Sequence, residues 1–483
     1  MISKDFKRGV LSRLVIKEFD LKINKNFQDY IGISQLTKGF KSISGEDSSY
    51  FQIPDISNEI ESLLSESSKN TDIKLKYQCN RVFPKLPIEN IRNLTVMHPR
   101  DCLLVSTELQ SICSQLKSLN YLGLQAMDYE PVNNHILEKL LKYFYSHKDT
   151  IKELVIEKFT FDSDTLSITP FDQLTSLQLY TRNDQFLLNH SGLLSLMKQN
   201  HSLEKLKVQF LYVFTEIDMS VFLEEAKVNI TSLKSIEFNG SLPLNEKSEI
   251  QLISYLNSTT KLQTFRSNMP FRLSMTHPNS DSFKITNKSI KELGASGNLI
   301  SLWKDMSSLE ILHLPTTSSI VLKIALEPID TSTLVNLHEL EVERECGEFI
   351  SRIILGNPKL QNVFIDLYHN RCDLNHILEA VIAHQSIRGF FLNGGSLLSL
   401  SEINHNSMIN LFQCHHPTLS TVSIYYNYLP LSIIPIILNN RNLSRVSLFQ
   451  CFRQPTKHKE FKEMIKSSNS SISFKVIEKL RKE

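Results

Sequence analysis

One pattern constrains this chain above all others: a unit of the form LxxLxL returns along most of its length. Early copies are "LNYLGL" from Leu119, "LTSLQL" from Leu174, "LEKLKV" from Leu203 and "LKSIEF" from Leu233. Later ones are "LEILHL" from Leu309, "LHELEV" from Leu337, "LQNVFI" from Leu360, "LSTVSI" from Leu419 and "LSRVSL" from Leu443. With 41% apolar residues, three apolar positions coincide by chance in about 7% of windows, so hits alone decide little. Spacing decides more. With weaker copies included, first positions fall at Ile91, Leu119, Ile151, Leu174, Leu203, Leu233, Leu262, Ile290, Leu309, Leu337, Leu360, Ile387, Leu419, Leu443 and Ile472. Their mean separation is about 27 residues, the period of a solenoid repeat.

What lies between the copies supports the same reading. Short segments with apolar residues at helical spacing precede most strands, among them "HILEKLLKYFYSH" before Ile151 and "EFISRIILGNPK" before Leu360. Asn200, Asn257, Gly356 and Asn439 stand where these helices should stop, and both residue types tolerate the left-handed backbone of a helix end. Helix, stop and strand in one fixed order predict an α/β repeat fold. Each unit exposes an apolar face that only a stacked neighbour covers.

These features resemble the leucine-rich-repeat superfamily, in its longer, helix-containing form similar to ribonuclease inhibitor. The resemblance runs from Ile91 to Val476 and implies a solenoid. A curved parallel sheet would line its concave side, with helices on the convex side. Fifteen strands at about 4.8 Å spacing would make an inner surface on the order of 70 Å long, a size that suits a protein ligand. The superfamily places Asn or Cys three residues beyond the LxL core. Here Asn298, Asn427 and Cys451 fit, whereas Phe159, Arg182, Leu211 and Tyr368 do not, so less uniform turns are expected. Met269–Lys288 shows no helical pattern and is the expected irregularity.

The remaining segments divide as follows. Residues 1–50 read as a solenoid cap or an F-box-like helical segment, and 51–90 as a linker with a first irregular repeat. Residues 91–476 form the repeats, and 477–483 a C-terminal tail. The run "ISQLTKGFKSI" resembles the third helix of F-box domains, which implies docking on the adaptor subunit of a cullin-RING ubiquitin ligase. The Leu-Pro that usually opens an F-box is missing.

A net charge of +2 gives no electrostatic reason to expect nucleic acid or an acidic membrane as partner. Seven scattered cysteines without a CxxC pair argue against a disulfide framework or structural zinc, and point to a cytoplasmic or nuclear protein. Met1–Val10 is charged and no apolar run follows, so neither a secretory leader nor a membrane span is expected. Motifs for phosphate, dinucleotide, zinc-protease or serine-nucleophile chemistry are missing, so neither enzymatic activity nor a cofactor is expected. Cys414, His415 and His416 are adjacent, and adjacent loop residues rarely converge on one metal ion, so no metal site is expected there.

Strand alternation sends every second residue away from the core, and these residues carry the functional expectation. In the unit from Leu337 they are Glu339, Glu341 and Glu343, three carboxylates whose repulsion a basic partner segment would relieve. Toward the C-terminus they become aromatic: Phe364, Phe391, Tyr425 and Phe449. An exposed aromatic strip of this kind marks a protein-binding surface.

Overall fold

The computed structural model describes residues 19–21, 42–45, 72–78, 91–98, 107–126, 134–159, 171–181, 194, 197–210, 218–229, 231–240, 244–272, 283–314, 331–343, 347–366, 374–393, 402–425, 431–449, 460, 462–466 and 472–477. The chain forms two compact units, Met1–Ser235 and Ile236–Glu483. In the first, β1 (Phe19–Leu21), β2 (Ser42–Gly45), β3 (Asp72–Gln78), β4 (Ile91–His98), β5 (Tyr121–Ala126), β6 (Glu153–Glu157), β7 (Ser176–Thr181) and β8 (Lys205–Phe210) pair in parallel, each with the next. The second begins inside β9 (Ser235–Gly240) and continues with β10 (Thr264–Ser267), β11 (Glu292–Gly294), β12 (Ile311–Leu314), β13 (Glu339–Glu343), β14 (Asn362–Asp366), β15 (Gly389–Asn393), β16 (Thr421–Tyr425), β17 (Arg445–Phe449) and β18 (Ser473–Ile477). From β10 onward each strand again pairs in parallel with the next.

One strand per repeat, parallel in every described pair and alternating with helices, is an α/β repeat architecture, and the packing shows why these residues adopt it. Leu312, Leu340, Val363, Phe390, Val422 and Val446 lie side by side in register, each at most 1% exposed. All fifteen first positions of the sequence pattern are buried, Ile472 at 8% being the most exposed. Helices complete the core. Gly347–Gly356 buries Phe349, Ile350, Ile353 and Ile354, and Asn375–Ala383 buries Ile377, Leu378, Ala380 and Val381. These two helices pack on each other, followed by Glu402–Gln413 and Ile433–Asn439 in turn. Burying each such side chain contributes about 1.5–3 kcal/mol, and none of the repeats could bury its own alone.

The helix-to-strand turn holds a second device. Three residues before the first strand leucine stand Asn200, Asn287, Asn357, His384, His416 and Asn440, all buried. Most reach back to a backbone carbonyl of the preceding repeat. Asn287 Nδ2 donates to Leu256 O at 2.6 Å and Asn440 Nδ2 to Phe412 O at 2.8 Å. His384 Nε2 donates to Asn357 O at 2.8 Å, and His416 Nε2 to His384 O. Asn357 differs, closing its own helix through Ile353 O. The expected stops therefore sit slightly off. Asn257, Gly356 and Asn439 belong to the last helical turn, and the buried polar residue follows at Asn357 and Asn440. At the other turn Asn298 stands where the resemblance implies an asparagine, and its Nδ2 donates to Phe271 O at 2.6 Å.

Two expectations about organisation meet the structure directly. Parallel pairing reaches upstream of Ile91 to β3, β2 and β1, and the described backbone within residues 1–50 is strand rather than helix. The rest of "ISQLTKGFKSI" and all of 46–71 lie outside the described residues. Within Met269–Lys288 the described residues form no α-helix; Ile285 instead bridges Trp303, its N–H bonding Leu302 O at 2.8 Å. Among the described residues no helix is long and apolar enough to cross a membrane.

Candidate binding surface

The open face of the second unit's sheet is built by the alternation that builds the core. In β13, Leu340 and Val342 are fully buried, which forces Glu339, Glu341 and Glu343 to the other face. Side-chain exposures of 37% for Glu341 and 35% for Glu343 leave both carboxylates accessible. Register sets Glu341 between His313 of β12 and Phe364 of β14. His313 is only 13% exposed, with Nε2 3.3 Å from Glu343 Oε1 and 3.8 Å from Glu341 Oε2. Glu339 has a different environment: burial, then Glu341 and Glu292, raise its pKa above the ordinary carboxylate value. Glu292 is itself paired, with Oε1 2.5 Å from Arg266 Nε.

Sequence reasoning found the three glutamates and missed His313. Its signal was the offset: His313 follows Leu309 by four residues, as Glu341 follows Leu337. Potential ligand atoms of His313, Glu341 and Glu343 lie within 4.8 Å of one another, the one such trio among the described residues. A divalent ion there would need water for its remaining positions. Behind the trio a hollow of about 180 Å³ is lined by Arg266, Gly294, Asn239 and Asn268 as well as His313 and Glu343.

The aromatic residues do not form one strip. Phe364 and Phe391 are register partners, and their rings stack at 4.3 Å between centroids with 8° between planes. The same row continues into Ser423 and Ser447. Tyr425 pairs with Asn393, and Phe449 with Tyr425, one row further along the strands. The side chain of Phe449 lies outside the described residues. Gly389 makes the stack possible. A Cβ there would fall 2.6 Å from Asn362 Oδ1 and 2.8 Å from Phe391 Cε2, so both side chains lean over its bare backbone.

Beyond the stack lies a larger hollow, about 530 Å³, which the sequence reading did not anticipate. Arg388, Arg445 and a group of hydroxyl residues line it. His416, by contrast, is committed to structure. Its Nε2 donates to His384 O while Nδ1 accepts from Leu419 N at 3.0 Å and Thr418 N at 3.3 Å, leaving no lone pair for a metal.

No protein-family model matches this chain, and no curated protein does. Among solved structures it is similar to a chain in the crystal structure of the Rad7 and Elc1 complex in yeast. The two align at 13% identity and a TM-score of 0.36, over 93% of this chain and 94% of that chain.

Proposed function

We propose that this chain is a non-catalytic protein-interaction scaffold, which receives a basic partner segment on the open sheet face of its second unit. The observation that carries the reading is β13, where a rigid, fully buried Leu340–Val342 anchor holds Glu339, Glu341 and Glu343 outward. Carboxylates fixed this way attract a cationic side chain without first losing side-chain freedom of the strand that presents them. The stacked pair of Phe364 and Phe391 beside them adds the apolar contact that anchors protein interfaces. A non-catalytic role accords with a sequence that lacks the common catalytic motifs.

The test is affinity capture with the full chain and with the double variant Glu341→Gln, Phe391→Ala. Thermal melting and circular dichroism would establish that the variant is folded. Partners retained by the natural chain should be lost by the variant; partners retained equally by both would remove the open face from the interface.

A narrower form of the proposal makes residues 1–50 the docking segment for a cullin-RING ligase adaptor. It is supported by the run "ISQLTKGFKSI" alone. Co-purification of the adaptor, abolished by Leu36→Asp with Phe40→Asp, would bear it out; absence of the adaptor from the natural chain's captures would sink it.

A further inference from the structure

The larger hollow on the second unit's open face has a chemistry opposite to that of β13. Arg388 stands just before β15, and Arg445 opens β17. Register aligns Gly389, Thr421 and Arg445, so Arg388 and Arg445 border the same hollow from strands two spacings apart, about 10 Å. Both arginines are exposed, and among the described residues no carboxylate pairs with either. Thr421 and Ser423 of β16 lie between them and Ser447 follows Arg445 on β17; the hydroxyls of all three have no hydrogen-bond partner among the described residues. The Phe391 ring forms one wall.

We propose that this hollow binds the phosphate of a phosphoserine or phosphothreonine, carried by the basic segment that β13 receives; the proposal therefore rests on the scaffold reading. Two guanidinium forks and several hydroxyl donors suit three phosphate oxygens. A carboxylate, with two oxygens, would leave donors unused. A nucleic acid strand fits worse. Its successive phosphates would cross toward Glu339, Glu341 and Glu343 on the same face. One phosphate flanked by basic residues complements both patches at once.

The geometry also fixes a spacing. β13 and β16 are three strand spacings apart, about 14 Å, and an extended peptide rises about 3.3 Å per residue. The basic residue should therefore stand about four positions from the phosphorylated one.

The probe is a pool of peptides with a central phosphoserine and randomised flanks, compared with the same pool carrying serine. The full-length protein is immobilised and retained peptides are sequenced. The phosphorylated pool should be retained at least tenfold better, with Arg or Lys enriched about four positions from the phosphoserine. Arg388→Gln with Arg445→Gln should abolish the phosphate preference in a protein that still melts cooperatively. Glu341→Gln with Glu343→Gln should erase the basic enrichment and keep the phosphate preference, which separates this proposal from the scaffold reading. Equal retention of the two pools would overturn it, as would a phosphate preference that survives loss of both arginines. Retention of a single-stranded RNA through the same arginines would overturn it in favour of nucleic acid.

Discussion

His416 and His384 occupy equivalent places in successive repeats, and one hydrogen bond joins them: His416 Nε2 donates to the backbone carbonyl of His384. A carbonyl only accepts, so Nε2 carries the proton, and Nδ1 must keep its lone pair to accept from Leu419 N and Thr418 N. The imidazole is thereby held neutral. Burial, the largest cause, keeps its pKa below the ordinary histidine value.

That arrangement predicts acid sensitivity. The folded pKa lies below the unfolded one, so stability is complete above the unfolded value of about 6.5 and falls as pH drops through the folded value. Urea titrations at pH 7.5 and 5.5 should show a lower midpoint at the acid end. His416→Asn, which installs the residue found at the same place in Asn440, should flatten that difference. An unchanged pH dependence in the variant would contradict the assignment.

Gly389→Ala should cost about 1–3 kcal/mol through overpacking, because its Cβ would meet Asn362 and Phe391 well inside contact distance. Thermal melting should show the loss. Combining it with Phe391→Ala should recover part of it, since one of the two clashing side chains is then gone.

Glu339→Gln should raise stability at neutral pH by about 0.5 kcal/mol or less. The sign follows from its raised pKa: such a carboxyl is most compatible with the fold below its unfolded pKa, and its contribution declines as pH rises through the folded one. The advantage of the variant should thus disappear near pH 4. A variant less stable than the natural chain at pH 7 would show that Glu339 is held by an attraction instead.

Cys113 is buried, and burial pushes its thiol from 9.0 up to about 12. Its thiolate fraction near neutral pH is then about a thousandfold below that of a free cysteine. Alkylation at pH 8 followed by peptide mapping should modify the exposed Cys414 in the folded protein and Cys113 only after denaturation.

Much of this was readable from particular residues. Leu337, Leu340 and Val342 alternate with Glu339, Glu341 and Glu343, and a period of two needs no tertiary information to assign faces. Counting offsets would have carried further. Phe364 and Phe391 follow their first leucine or isoleucine by four residues, Tyr425 and Phe449 by six, which already places them in different rows. What counting could not supply is which side chains converge. His313 reaches the carboxylates of Glu341 and Glu343 because β12 and β13 pair in parallel with His313 opposite Glu341. Likewise Arg388 and Arg445 line one hollow together with the small side chains of Thr421, Ser423 and Ser447, a meeting that register creates and spacing in sequence does not announce. Asn287, His384 and Asn440 were hidden for another reason: polar residues at a loop look solvated until the preceding repeat's carbonyl is seen beside them.

Aligned register sets up a mismatch of two rulers. Strands succeed one another every 4.7–4.9 Å, whereas an extended ligand laid across them advances about 3.3 Å per residue. Three ligand residues thus match two repeats, as on a vernier scale. A ligand crossing β13 to β17 comes into phase with the repeats only at every third of its residues, and the intervening ones face the gaps between rows. Contacts on β13 and β15 should therefore fall about three residues apart, whereas contacts on β13 and β16 fall between about four and five apart, so ligand positions in phase with a strand should be strict and the rest tolerant.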